Sequence, residues 1–238
     1  YKNLKEGKKY KVTGTLIDKK TGEKIKDAKG DAVTSTVEFV AETSDGTVEV
    51  EFRFDGRKLG GKTMVAFEKL YYGEKLYAVH EDLEDEKQTI YIPKIGTTAV
   101  NTKTKSKLAY AEENVTVTDV VKYENLQPGE TYTLHGTIIE KKSLKELTEE
   151  KTIEFIPEKK NGTIEMTFEL NGSEMQGKTI VVYEELKQKG KSVAVHKDPE
   201  SKEQSIYFPK IGTKAVDAES RTQEGVAKAK QKITDQVS

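Results

Sequence analysis

Cysteine is missing from all 238 residues, which removes disulfides, thiolate metal sites and cysteine nucleophiles from consideration. If the protein works outside a cell, it must be stabilised by another means. Long apolar runs are lacking too: nowhere do about 18 apolar residues follow one another, so nothing reads as a membrane-spanning helix. No signal peptide is visible at Tyr1, and any targeting or anchoring sequence is expected outside these residues. Nor is there an excess of charge of one sign. Lys and Arg number 40 against 41 Asp and Glu, a net charge of −1 that gives no general pull toward nucleic acid or an acidic membrane.

What the chain has in quantity is short alternating runs. KYKVTGTLI, STVEFVAET, GTVEVEFRF, KTMVAFEKL, KLYAVHE and QTIYIPK are separated by turns rich in Gly, Asp, Asn and Lys. The second half answers with TYTLHGTII, KTIEFIPE, GTIEMTFEL, KTIVVYEEL, SVAVHKD and QSIYFPK. Period-two alternation of this kind predicts antiparallel strands and an all-β sandwich. AESRTQEGVAKAK has some helical propensity, but its counterpart NTKTKSKLAYAEE has none, so both are expected to be loops. The Lys-rich KKSLKELTEEK stretch reads as a solvated loop.

The two halves are copies. Val65 opens VAFEKLYYGEKLYAVHEDLEDEKQTIYIPKIGTTAV, and Val181 opens VVYEELKQKGKSVAVHKDPESKEQSIYFPKIGTKAV. Each copy carries a Glu, a His twelve residues later and a Gln eight residues after that: Glu68, His80, Gln88 and Glu184, His196, Gln204. Alternation places all six with apolar neighbours, Glu68 with Met64 and Ala66, His196 with Ala194, Gln204 with Ile206 and Phe208. Buried polar side chains are costly unless they satisfy one another, so one polar cluster is expected inside each core. Two more residues recur. Asp119 and Asp235 each follow by 22 residues a Thr of a KIGT motif, Thr97 and Thr213.

The phase of the repeat is offset. By analogy with VTDVVKYENL, the ITDQVS at 233–238 should run on into YxNL, and the first residues are YKNL, so Tyr1 continues Ser238 in register. The expected division is a complete β-sandwich repeat over 94–209 and a split one, with 210–238 its N-terminal strand portion and 1–93 the remainder. One five-residue set is then continuous, Thr97, Asp119, Glu184, His196, Gln204, and the other divided, Thr213, Asp235, Glu68, His80, Gln88. The pieces could complement one another head to tail between copies of the chain, close within one molecule, or come from a longer array.

These motifs carry a resemblance. VAFE and VVYE, the KIGT joints, and HED…QT with HKD…QS are similar to the repeated immunoglobulin-like stalk domains of Gram-positive surface adhesins that form Thr-Gln ester cross-links. The departures are mild: Tyr183 stands for Phe in one VxFE motif, and Ser205 follows Gln204 where Thr89 follows Gln88. The resemblance implies an autocatalytic ester between Thr97 and Gln204, and another between Thr213 and Gln88, formed with loss of ammonia. It implies His196 and His80 as bases, and Asp119 with Glu184 and Asp235 with Glu68 as carboxyl pairs sharing a proton. It further implies a single-turnover event rather than an enzyme, no cofactor, no metal, and an extracellular, wall-anchored protein whose anchor and host ligand lie outside this sequence.

Other readings stand beside it. A buried His with Glu and Asp is commonly a structural network or a metal site, and a ligand-binding adhesin module would show an exposed aromatic groove, whereas Tyr71 and Tyr72 are the only paired tyrosines. A Lys-Asn isopeptide stalk would need an Asn on the last strand to meet Lys94 or Lys210, and none recurs there. His135 has no counterpart, Thr13 standing in its place, and reads as an ordinary strand residue.

Overall fold

The computed structural model describes every residue except Ala28, Val226 and Ala229. Its repeating structure is strand, with one short 3-10 turn at Glu86–Gln88 among the described residues. From the N-terminus the chain forms β1 (Lys9–Asp18), β2 (Thr34–Val40), β3 (Thr63–Tyr72), β4 (Lys75–His80) and β5 (Thr89–Tyr91). They make one antiparallel sheet in the order β2-β1-β3-β4, with β5 beside β3.

The next strands are β6 (Lys94–Asn101), β7 (Val115–Glu124), β8 (Tyr132–Glu140), β9 (Lys151–Phe155), β10 (Gly162–Leu170), β11 (Thr179–Gln188), β12 (Lys191–His196) and β13 (Ser205–Tyr207). They divide into a three-stranded sheet, β10-β7-β6, and a sheet of order β12-β11-β8-β9 with β13 beside β11. The second has the plan of the β1–β5 sheet. Alternation decides the facing: along β7, Val115, Val117, Asp119, Val121 and Tyr123 turn inward while the residues between them are half-buried or exposed. Those side chains meet Leu134, Ile138, Ile180 and Val182 of the other sheet in one buried core. The architecture is an immunoglobulin-like antiparallel β-sandwich.

The β1–β5 sheet has the same inward face without a second sheet closing it. Residues 47–54, expected to be a strand, form no ladder. The reason is the missing neighbour: their counterpart β10 is paired with β7 alone, and the sequence that repeats β7 lies at 233–237. Position survives without pairing. A Cβ on Gly14 would meet the Phe52 ring at 2.5 Å, as one on Gly136 would meet Met166 Sδ at 2.5 Å and the Phe168 ring at 2.8 Å, so the same crossing segment presses on the same glycine in both halves. The consequence for burial is large. Among the described residues, twenty buried hydrophobic residues form the core of the complete sandwich and five that of the N-terminal sheet. Leu186 is 1 % exposed, while its repeat partner Leu70 is only half-buried.

The last strands, β14 (Thr213–Asp217) and β15 (Ile233–Val237), form a hairpin that pairs with no other strand among the described residues. Ile233 and Val237 of β15 are 62 % and 64 % exposed and Ile211, just before β14, is 73 % exposed, while Val216 is buried. Residues 218–232 between these strands form turns and irregular backbone, as expected of a loop, although Val226 and Ala229 lie outside the described residues.

Asn125 joins the first sheet to the sandwich. It sits at φ 63°, a left-handed conformation that Asn tolerates better than most residues. Its side-chain oxygen accepts from the Thr63 hydroxyl at 3.0 Å, and its Nδ2 donates to the carbonyls of Lys62 at 2.7 Å and Ile92 at 3.3 Å. Replacing Asn125 by Ala removes these bonds and strains the backbone. Thermal unfolding should report a loss of about 1–3 kcal/mol, with an unchanged midpoint counting against the joint.

Candidate functional site

Strand register assembles the site. In β6, Thr97 stands opposite Val121 and Ala99 opposite Asp119 of β7, so Thr97 and Asp119 share the inward face of one sheet. In the other sheet, Glu184 of β11 stands directly opposite His196 of β12, and directly opposed side chains share a face. Gln204 immediately precedes β13, its carbonyl accepting from Val182 N at 3.2 Å. The sheets are stitched at this corner by the Ala99 amide, which donates to the Glu203 carbonyl at 2.9 Å.

Closure of the sandwich brings the five residues into one cluster. Asp119, Glu184 and Gln204 are 0 % exposed and Thr97 5 %; His196 is half-buried. Gln204 Nε2 donates to Glu184 Oε2. Thr97 Oγ1, both Asp119 oxygens, Glu184 Oε1, His196 Nδ1 and Gln204 Oε1 are buried without a hydrogen-bond partner. Buried polar atoms seldom go unpaired, and here six do so together.

The electrostatics follow from burial. Glu184 is pushed up to about 10, first by loss of solvent and then by the neighbouring Asp119 charge, with Thr97 and Gln204 pulling the other way. Burial raises Asp119 as well, opposed by Glu184, Lys107 and the Thr98 amide. The pair therefore retains a proton at neutral pH. Burial lowers His196, so its imidazole is neutral there. A hydroxyl, a neutral base, a retained acid proton and an amide pinned to a carboxyl are the components of acyl transfer from nitrogen to oxygen.

The second set is divided. Glu68 stands opposite His80, and Gln88 Nε2 donates to Glu68 Oε2, as in the first set. Glu68 is raised chiefly by burial, against the pull of Gln88 and His80. His80, expected inside a core, is exposed, and its Nε2 lies 2.9 Å from Asp85 Oδ2, because no sheet covers it. Thr213 stands opposite Val237 and Ala215 opposite Asp235, the register of Thr97 with Val121 and Ala99 with Asp119. Both Thr213 and Asp235 are exposed on the hairpin, away from the Glu68 sheet's strand ladders. Among the described residues no group of three or more His, Asp or Glu is placed to hold a metal ion. Sequence reasoning passed over Lys107, whose repeat counterpart is Gln223, so comparison of the copies could not single it out.

The family described as the T-Q ester bond containing domain matches residues 1–92 and 93–208. The chain belongs to that family. Both T-Q matches contain a Glu-His-Gln trio, and the second holds its Thr and Asp as well. Comparison with curated protein sequences gives no match. Among solved structures, a Mobiluncus mulieris adhesin described as containing intramolecular disulfide, isopeptide and ester bond cross-links is 21 % identical over 52 % of this chain and 59 % of that one, at a TM-score of 0.44. A putative β-galactosidase from Bacteroides fragilis is 12 % identical over 80 % of this chain and 30 % of that one, at a TM-score of 0.37. Likeness at this level says nothing of function.

The acid pair makes stability depend on pH. Above pH 7 the histidine is neutral in both states, and unfolding releases the Glu184 proton that the folded domain holds up to about 10. The unfolded chain then binds fewer protons, so stability falls as pH rises, by up to about 1.4 kcal/mol per unit. In a Thr97→Ala background, the melting temperature should drop between pH 7 and 9. Adding Glu184→Gln should flatten that slope, and equal slopes in both variants would contradict the retained proton.

Proposed function

We propose that residues 94–208 form an autocatalytic ester between Thr97 and Gln204, and that the protein is a stalk segment of a bacterial surface adhesin. The observation that carries this reading is the Gln204 amide pinned to Glu184, a carboxyl on which the buried Thr97 hydroxyl also acts. His196 takes the Thr97 proton, and Oγ1 attacks Gln204 Cδ. The Asp119–Glu184 proton steadies the tetrahedral intermediate and passes to the departing nitrogen, which leaves as ammonia. The imidazolium then returns its proton to the acid pair. One C–O bond forms and one C–N bond breaks, with no turnover. Preorientation by the fold supplies the acceleration.

The ester would join residues 107 apart, tying the first strand of the sandwich to the residue that leads into its last. Closing a loop of about 100 residues contributes roughly 4–5 kcal/mol in the chain-entropy description, and a covalent tie between terminal strands bypasses the ladders under tension. Intact-protein mass spectrometry should find wild type lighter than its sequence by one ammonia from this site. Thr97→Ala and Gln204→Ala should each restore the sequence mass at that site and lower the melting temperature. Wild type at full sequence mass would refute the ester.

The same reading extends to the divided set: the open face of the β1–β5 sheet takes the β14–β15 hairpin of a second copy. It is supported by the unpaired segment 47–54, by the exposed apolar side chains of the hairpin, and by the identical register of its Thr and Asp. Such a docking would place Thr213 beside Gln88 and allow a second ester between molecules. A denaturing gel should show a ladder of covalent oligomers, abolished by Thr213→Ala or Gln88→Ala. A monomer short of two ammonia would indicate closure within one molecule, and a non-associating monomer short of one would leave the hairpin without this role.

A further inference from the structure

Lys107 is the charged side chain at the reactive corner that the chemistry above leaves unused. It lies in the loop between β6 and β7, and its backbone is stitched to β13: the Tyr207 amide donates to the Lys107 carbonyl at 2.7 Å, and the Ala109 amide to the Tyr207 carbonyl at 3.0 Å. The side chain turns back into the gap between the sheets. Its ammonium donates to the Ala99 carbonyl at 2.5 Å and also to the Glu203 carbonyl. Ala99 is two residues from Thr97 and opposite Asp119; Glu203 precedes Gln204. One ammonium therefore ties the strand of the nucleophile to the backbone of the electrophile.

Gln204 has need of such a tie. Its own carbonyl is held at 3.2 Å by Val182, and the following Ser205 amide reaches the Lys202 carbonyl at 3.3 Å, both long bonds. The preceding Glu203 carbonyl takes shorter contacts, from the Ala99 amide at 2.9 Å and from Lys107. Lys107 is partly buried, which lowers its pKa against the opposing pull of Glu203 and Asp119, and its charge in turn favours the ionised form of Asp119.

We propose that Lys107 is a positioning residue for the cross-linking step, clasping the Thr97 strand to the Gln204 segment. The proposal rests on the ester reading above. Misplacement of reacting atoms by a fraction of an ångström to an ångström is costly in rate, on the order of 100-fold for one ångström, so the effect belongs in the kinetics.

The experiment follows ammonia loss by time-resolved mass spectrometry after refolding of unreacted full-length chain. It uses wild type, Lys107→Met, Lys107→Gln and Lys107→Arg, each across a range of pH. Tryptic mapping of the Thr97 and Gln204 peptides restricts the readout to this site, and circular dichroism establishes that each variant is folded. Lys107→Met and Lys107→Gln are expected to react at least about 10-fold more slowly, with the pH–rate profile moved to higher pH because Asp119 loses its cation. Lys107→Arg is expected to recover most of the rate. Should Lys107→Met not fold, Lys107→Gln carries the comparison, since the shorter amide is the residue that the other repeat uses at this position. Reaction of the folded variants at the wild-type rate, or slowing with an unmoved profile and no recovery by arginine, would overturn the proposal. A wild-type chain that never loses ammonia would overturn the ester reading instead.

Discussion

Two carboxyl groups buried side by side cannot both ionise, and the chemistry proposed for this protein depends on that constraint. Asp119 comes from one sheet and Glu184 from the other. Neither is unusual on its own strand; packing the sheets face to face is what removes their water and sets each against the other's charge. The retained proton turns a pair of surface-type residues into an internal acid, while the same burial keeps His196 neutral and therefore basic. Acid and base are both products of closure.

The N-terminal sheet serves as a natural control. It carries Glu68 and His80 on the matching strands in the same register, and Gln88 just before β5 with the same amide-to-carboxyl contact. Without a covering sheet, Glu68 stays half-buried and His80 turns to the solvent-side partner Asp85. The residues are therefore insufficient by themselves. On the proposed ester chemistry, a centre that needs both sheets would react in folded molecules and not in half-made ones.

Much of the fold could be read from alternation, since a strand with one buried face must show period two, and β1, β7, β8 and β11 all do. Segment 47–54 has the same alternation and forms no ladder, because a strand is made by its neighbour and local pattern cannot supply one. The site was legible for a different reason. Thr97, Asp119, Glu184, His196 and Gln204 are polar residues that recur at fixed spacing in both repeats, so they stood out against a varying background. Lys107 did not, since Gln223 fills its place in the other copy.

The sequence by itself determined the all-β alternation, the repeat with its offset phase, and the identity of the five polar residues in each set, because these are properties of spacing along one chain. Only the tertiary structure decided which set is assembled, which carboxyl keeps the proton, and that an ammonium from a loop spans the corner between Ala99 and Glu203. Those depend on solvent exclusion and on distances between strands remote in sequence, and neither exists until the second sheet closes over the first.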